Sequence, residues 1–422
     1  MNGTPRRLFL AAIAAGMIGL AVPALAQSPE QVAADALKAA PVWDGHNDVP
    51  IALRQRLHNM LGDFDFRDTS QMANAAGRVM HTDLARLRKG RVGAQFWSVF
   101  VPASLPEPQA VQATIEQIDL TKRLIARYPA DLRLALTAAD VERAMKAGRV
   151  ASLMGMEGGH SIGGSLGVLR QMHALGVRYM TLTHSRNTAW ADSATDRPAH
   201  GGLTDFGRDV VREMQRIGML VDLSHVSEAT MMDALDVARA PVMFSHSGAK
   251  GVTGHPRNVP DAVLDRLKAN GGIVMAVTLP DYVSEDVRHW VAKWKGEQAR
   301  LVSLHPGDPN AVTAGMAEWE TVNPAPRARA SQVADHVDYI ARRTGVDHVG
   351  IGGDFDGMSS VVQGMEDVST YPALFTELAR RGYSRADLEK IASRNMLRVL
   401  RAAESYAASR RKEAPIEAPT AF

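Results

Sequence analysis

Seven side chains able to hold or move a charge close apolar runs along this chain of 422 residues. His46 and Asp48 stand in WDGHNDVP, Glu157 in GMEGGH, His184 in LTHSRNTAWADS, His225 in VDLSHVS, His246 in MFSHSG and Asp354 in GGDFDG. There is no cysteine. A metal would therefore be held by His, Asp and Glu, a donor set that suits zinc or its first-row neighbours. Taken alone, His46-Asn47-Asp48 serves equally as an ordinary polar turn after a strand. If residues 41–45 are extended, period-two geometry puts residues 46 and 48 on one side of the chain, where they could hold one ion together.

The elements that must position these residues follow from the apolar pattern. β-branched-rich runs predict strands near 41–45, 93–100, 150–156, 177–183, 219–224, 241–245, 272–278 and 348–353. Helical spacing over 108–128, 164–175, 204–217, 227–238, 260–269 and 328–343 fills the intervals, several opened by Ser, Thr or Asp caps. Alternating strands and helices imply a parallel sheet. Eight such units predict an α/β fold, a (β/α)8 TIM-type barrel, with a doubly wound open sheet as the alternative. Barrel sites gather where the strands end, which is where all seven residues fall. His160, His255 and His348 are their neighbours, and the remaining histidines read as structural.

Composition narrows the function. With 45% apolar residues and a formal charge of +2, the chain reads as globular, without a nucleic-acid surface. Residues 1–26 show a basic start, an apolar run and Ala24-Leu25-Ala26 ahead of Gln27, the pattern of a cleaved secretory signal. Arg6-Arg7 also fits a twin-arginine signal. Export follows, to the periplasm or beyond, with no membrane span left after cleavage. The body of the barrel is placed at 27–399, interrupted between the seventh and eighth strands by a Trp- and Pro-containing excursion over 281 to about 330, a lid or a decoration. Residues 400–422 read as a solvated tail.

The segments DGHNDVP, QFWSV, MEGGH, LTHSRNTAWADS, VDLSHVS, FSHSGAKGVTGHPRNVPD and GGDFDG, in this order, resemble the membrane (renal) dipeptidase family of the amidohydrolase superfamily, over roughly residues 40–400. The resemblance implies an exported zinc dipeptidase with two zinc ions per chain, bridged by Glu157 and a water or hydroxide. His46 and Asp48 would bind one ion, and His225 and His246 the other. His184 would contact the substrate and its tetrahedral intermediate, Arg257 would bind the substrate carboxylate, and Asp354 would carry protons, with Asp356 as the second choice. The chemistry is coherent. A carboxylate has two oxygens with which to bridge, a metal-held hydroxide attacks an amide carbonyl, and a guanidinium grips a carboxylate through two N–H groups.

The chain departs from the family after the seventh strand, where VTLPDYV and the long excursion make Tyr282 a candidate for contact with the substrate side chain. The partner implied is a dipeptide, and a homodimer is left open. Another binuclear amidohydrolase, acting on a lactone, cyclic amide or β-lactam, is the alternative, although His-x-Asp in place of His-x-His disfavours it. A metal- or peptide-binding protein without turnover is a third, and it would need neither Asp354 nor His184.

Overall fold

A computed structural model describes residues 1–4 and 27–421. Nine parallel strands form one sheet: β1 (Val42–Asn47), β2 (Val92–Ser98), β3 (Leu132–Leu134), β4 (Val150–Glu157), β5 (Val177–Thr181), β6 (Leu220–Asp222), β7 (Met243–Ser247), β8 (Ile273–Ala276) and β9 (Val349–Ile351). β2 and β4 pair from Ala94↔Ala151 to Ser98↔Gly155, and β1 pairs with β9. The sheet thereby closes into an eight-stranded (β/α)8 barrel, with β3 as an addition.

β3 was not anticipated. β4 begins its pairing with β5 only at Met154↔Val177, which leaves the first residues of β4 with a free edge. Leu132–Leu134 fills that gap, pairing with Val150–Ser152. LRL is too short to show a period.

Period-two alternation fills the barrel. Trp43, Phe96 and Tyr179 pack ring to ring inside it, with centroids 5.7 and 4.9 Å apart, and Leu153, Leu220 and Met275 join the same buried cluster. Each barrel strand is followed by a helix that turns its apolar face to the sheet. The helix Asp205–Ile217 is representative. Thr204 caps it through the Gly207 N–H, Val210, Val211 and Met214 are buried, and Gly218 ends it at φ +84°, a conformation that glycine adopts without strain.

Two expectations are refined or corrected. The excursion after β8 is a helical hairpin, Glu285–Leu304 against Pro309–Val322, joined to the barrel by the short helix Pro280–Val283. Trp290 and Trp319 pack across it at 5.8 Å, and Trp294 Nε1 donates to Glu320. The solvated tail expected from residue 400 does not hold. A helix spans Asn395–Arg410 and buries Met396, Val399, Leu400 and Ala403 at helical spacing. Beyond it, Arg170 donates to the Ile416 carbonyl, the Ile416 N–H donates to Glu213, and the Ala421 N–H donates to the Gly164 carbonyl. The leader expected at 1–26 lies, for residues 5–26, outside the described residues.

Candidate active site

The strand ends bring the candidate residues together at one rim. A cavity of about 460 Å³ opens there, lined by Asp48, Glu157, His184, His225, His246, Arg257, Tyr282, Asp354 and Asp356, among others. His46 lies fully buried against the same residues. His160, His255 and His348 do not line this cavity.

Glu157, at the end of β4, organises the donors. Its Oε2 is 3.3 Å from His46 Nε2, which is in turn 3.4 Å from Asp48 Oδ2. Its Oε1 is 2.9 Å from His225 Nε2 and 3.5 Å from His246 Nε2. The two imidazole Nε2 atoms of His225 and His246 are only 3.0 Å apart. Donor atoms of three overlapping groups, His46/Glu157/His246, Glu157/His184/His225 and His46/Asp48/Asp354, lie within 4.8 Å of one another. The groupings overlap, and the two oxygens of Glu157 divide them, one toward His46 and the other toward His225 and His246.

Charge in this crowd is mutually held. Burial works against a cationic His46, but Tyr179, Glu157 and Asp48 outweigh it and keep its proton affinity well above that of an ordinary histidine. Burial works against an anionic Glu157 too, yet His46, His225 and His184 hold it well below the usual carboxylate range. Burial, followed by His46 and Arg257, depresses His246, and burial with Arg257 and His184 depresses His225. Asp354 goes the other way. Burial drives its carboxyl well above the usual range, and Asp48 and Glu157 add to this against the pull of His46.

The donors fit a metal. His46 Nε2 and Asp48 Oδ1 are buried without a hydrogen-bond partner among the described residues, although water would satisfy both if they were exposed. Lone pairs from two carboxylates and three imidazoles converge on one space, and a cation reconciles them.

The backbone makes room for this crowding. Gly352 lets the Ser245 carbonyl approach to where a Cβ would sit 1.9 Å away. A Cβ on Gly357 would meet Asp48 Oδ2 at 2.1 Å. Asp354 and Asp356 both hold left-handed φ, +62° and +69°, in the DFDG turn. Asp354 faces His46 and Asp48, whereas Asp356 accepts the His81 N–H at 2.8 Å.

The outer wall carries the remaining candidates. His184 packs tilted against Phe100 at 4.6 Å and stacks on His225 at 4.2 Å, with its Nε2 3.7 Å from Glu157 Oε1. Arg257 is 1% exposed, yet its Nε and Nη1 have no hydrogen-bond partner among the described residues. Its guanidinium lies over the Tyr282 ring, 5.4 Å from the centroid. Asn258 fastens this wall by donating to the carbonyls of Thr253 and Tyr282.

A supporting layer escaped the sequence reading. Tyr179 OH is 2.8 Å from His46 Nδ1, Ser245 Oγ is 2.8 Å from His246 Nδ1, and Ser98 donates to Glu157 Oε2 at 3.0 Å. Asp44 accepts from Gly353, His46 and Tyr371. The available signal was a polar residue at an inward register of an otherwise apolar strand, as with Asp222 three before His225.

A family model described as membrane dipeptidase, peptidase family M19, matches residues 30–414. Dipeptidase tcpJ of Claviceps purpurea is 42% identical over 382 residues, covering 88% of this chain and 79% of that protein. The crystal structure of the probable dipeptidase PvdM from Pseudomonas aeruginosa is similar at TM-score 0.76 and 25% identity, covering 90% of this chain and 99% of that one. A metallo peptidase from Rhodobacter sphaeroides, liganded with a phosphinate mimic of the dipeptide L-Ala-D-Ala, is similar at TM-score 0.69 and 25% identity, covering 86% and 99%.

Proposed function

Because the chain belongs to the membrane dipeptidase family, peptidase family M19, and is a metallo-dipeptidase, we propose that it hydrolyses dipeptides in the rim cavity with two zinc ions held there. His46 and Asp48 would hold one ion and His225 and His246 the other, with Glu157 reaching both. The observation that carries this is the division of Glu157, one oxygen toward His46 and the other toward the histidine pair. When bound, such ions acidify a water and polarise the scissile carbonyl.

The chain's own residues do the rest. Arg257 receives the free carboxylate of the substrate's second residue on its unpartnered Nε and Nη1. His184, on the open side, donates to the oxygen that gains charge as the carbonyl carbon becomes tetrahedral. Asp354, whose environment favours its protonated form, gives a proton to the amine nitrogen as the C–N bond breaks. Asp356, committed to His81, is the second choice. Tyr282 closes the wall beside Arg257. A phosphinate places a tetrahedral phosphorus where a carbonyl would be, and its binding to the Rhodobacter sphaeroides peptidase supports the same intermediate here.

The test is a panel of dipeptides, including D residues at the second position, against the matching C-terminal dipeptide amides and N-acylated tripeptides. Hydrolysis of free-acid dipeptides alone supports the reading, and equal turnover of the amides refutes recognition of the carboxylate by Arg257. Export rests on the leader over residues 1–26. It predicts a mature chain beginning at Gln27 outside the cytoplasm, which N-terminal sequencing of fractionated cells checks.

A further inference from the structure

His246 turns Nε2 toward Glu157 and His225 and Nδ1 toward Ser245 Oγ, 2.8 Å away. Behind Ser245 stands Asp222, fully buried at the end of β6. Asp222 Oδ1 accepts the backbone N–H groups of Ser245 at 2.8 Å and Ser224 at 3.1 Å. Its Oδ2 accepts the hydroxyls of Thr181 at 2.5 Å and Ser245 at 2.6 Å.

Proton bookkeeping then fixes the ring. Four donors on one carboxylate fill its acceptor sites and leave no place for a proton of its own. Ser245 has one hydroxyl proton, and it goes to Asp222. Only lone pairs of Ser245 Oγ remain for His246, so the proton between them sits on Nδ1. A neutral imidazole carries one N–H, which leaves the lone pair on Nε2, facing the site. Tyr179, the corresponding partner of His46, shows no carboxylate bonded behind its hydroxyl among the described residues, so this relay belongs to His246 alone.

We propose that Asp222, acting through Ser245, is a positioning group that holds His246 in the Nδ1–H tautomer its Nε2 needs to bind a divalent cation. The proposal rests on the metal-holding reading above. It also separates Asp222 from a packing residue, because Asp222→Asn removes no atom yet reverses the relay. An amide nitrogen at the Oδ2 position would donate to Ser245 Oγ, and the serine proton would turn to Nδ1 and leave the wrong nitrogen free.

The experiment measures zinc affinity by competition with a chromophoric chelator for wild type, Asp222→Asn, Ser245→Ala and Ser245→Thr. Thermal unfolding of each metal-free protein is followed in parallel. Loss of such an outer partner costs roughly 10–100-fold in metal affinity. The largest loss is expected for Asp222→Asn, a smaller one for Ser245→Ala, and affinity near wild type for Ser245→Thr, which keeps the hydroxyl. Folded Asp222→Asn with wild-type affinity would overturn the proposal, as would Ser245→Thr falling as far as Ser245→Ala. If Asp222→Asn does not fold, the two serine variants decide. Wild type that binds no zinc would instead refute the metal-holding reading.

Discussion

The two walls of the cavity are built on different terms. On the inner wall, His46, His246 and Glu157 end strands, and each has an atom tied behind it, to Tyr179, Ser245 and Ser98. On the outer wall, Arg257 and Tyr282 stand beyond the strands, and Arg257 keeps Nε and Nη1 unpaired although the residue is buried. His225 departs from its side of this division, since its Nδ1 has no partner among the described residues. Groups that hold an ion are fixed before it arrives, whereas groups that meet a substrate keep donors in reserve at a cost in stability.

The sharpest way to break this contrast lies where the walls meet. Asp354→Asn should lower kcat by about 10²–10⁴-fold while zinc content stays near wild type, read by steady-state kinetics and elemental analysis. Loss of zinc would move Asp354 to the inner wall as a ligand.

Arg257→Met should weaken dipeptide binding by about 2–5 kcal/mol, seen mainly in KM. The same change should make the folded chain more stable by about 1–3 kcal/mol in urea unfolding, because a buried cation with two unpaired donors is gone. A destabilised variant would show that Arg257 is structural.

The loop bearing Arg257 also carries a pH dependence. His336 is fully buried, accepts the Ala249 N–H on Nδ1 at 2.8 Å, and is depressed by burial to about 4 from an ordinary 6.5. The unfolded chain therefore binds a proton below 6.5 that the folded chain refuses until about 4. The stability is present above 6.5 and is lost as pH falls toward 4, by up to about 3 kcal/mol. His336→Asn should flatten this limb in urea unfolding at pH 7.5 and 5.

The smallest effect is expected at Tyr282→Leu, which removes the ring under the guanidinium. KM should rise by about 2–5-fold, in line with ~0.5–1 kcal/mol for a cation–π contact, with kcat unchanged.

The inner wall was the more legible of the two from sequence. A strand ending in His or Glu announces both its position and its chemistry, so the eight runs placed His46, Glu157, His225 and His246 at one rim. The layer behind them was not legible, because Tyr179 and Asp222 pass for ordinary strand residues until barrel closure turns Tyr179 of β5 across the interior toward His46 of β1 and sets β6 beside β7. β3 was too short to show a period. The helix through Leu400 was hidden by the basic and Pro-containing end that follows it, and the hairpin after β8 by Gly and Pro at its turn, HPGDPN. Tyr282 reached the cavity wall through a helix of four residues that no periodicity marks.

If Glu157 joins two metal positions, elemental analysis of dialysed protein shows it directly. Wild type is expected to hold about two zinc ions per chain, and Glu157→Gln to lose both. Wild type without zinc, or Glu157→Gln retaining both ions, would contradict it.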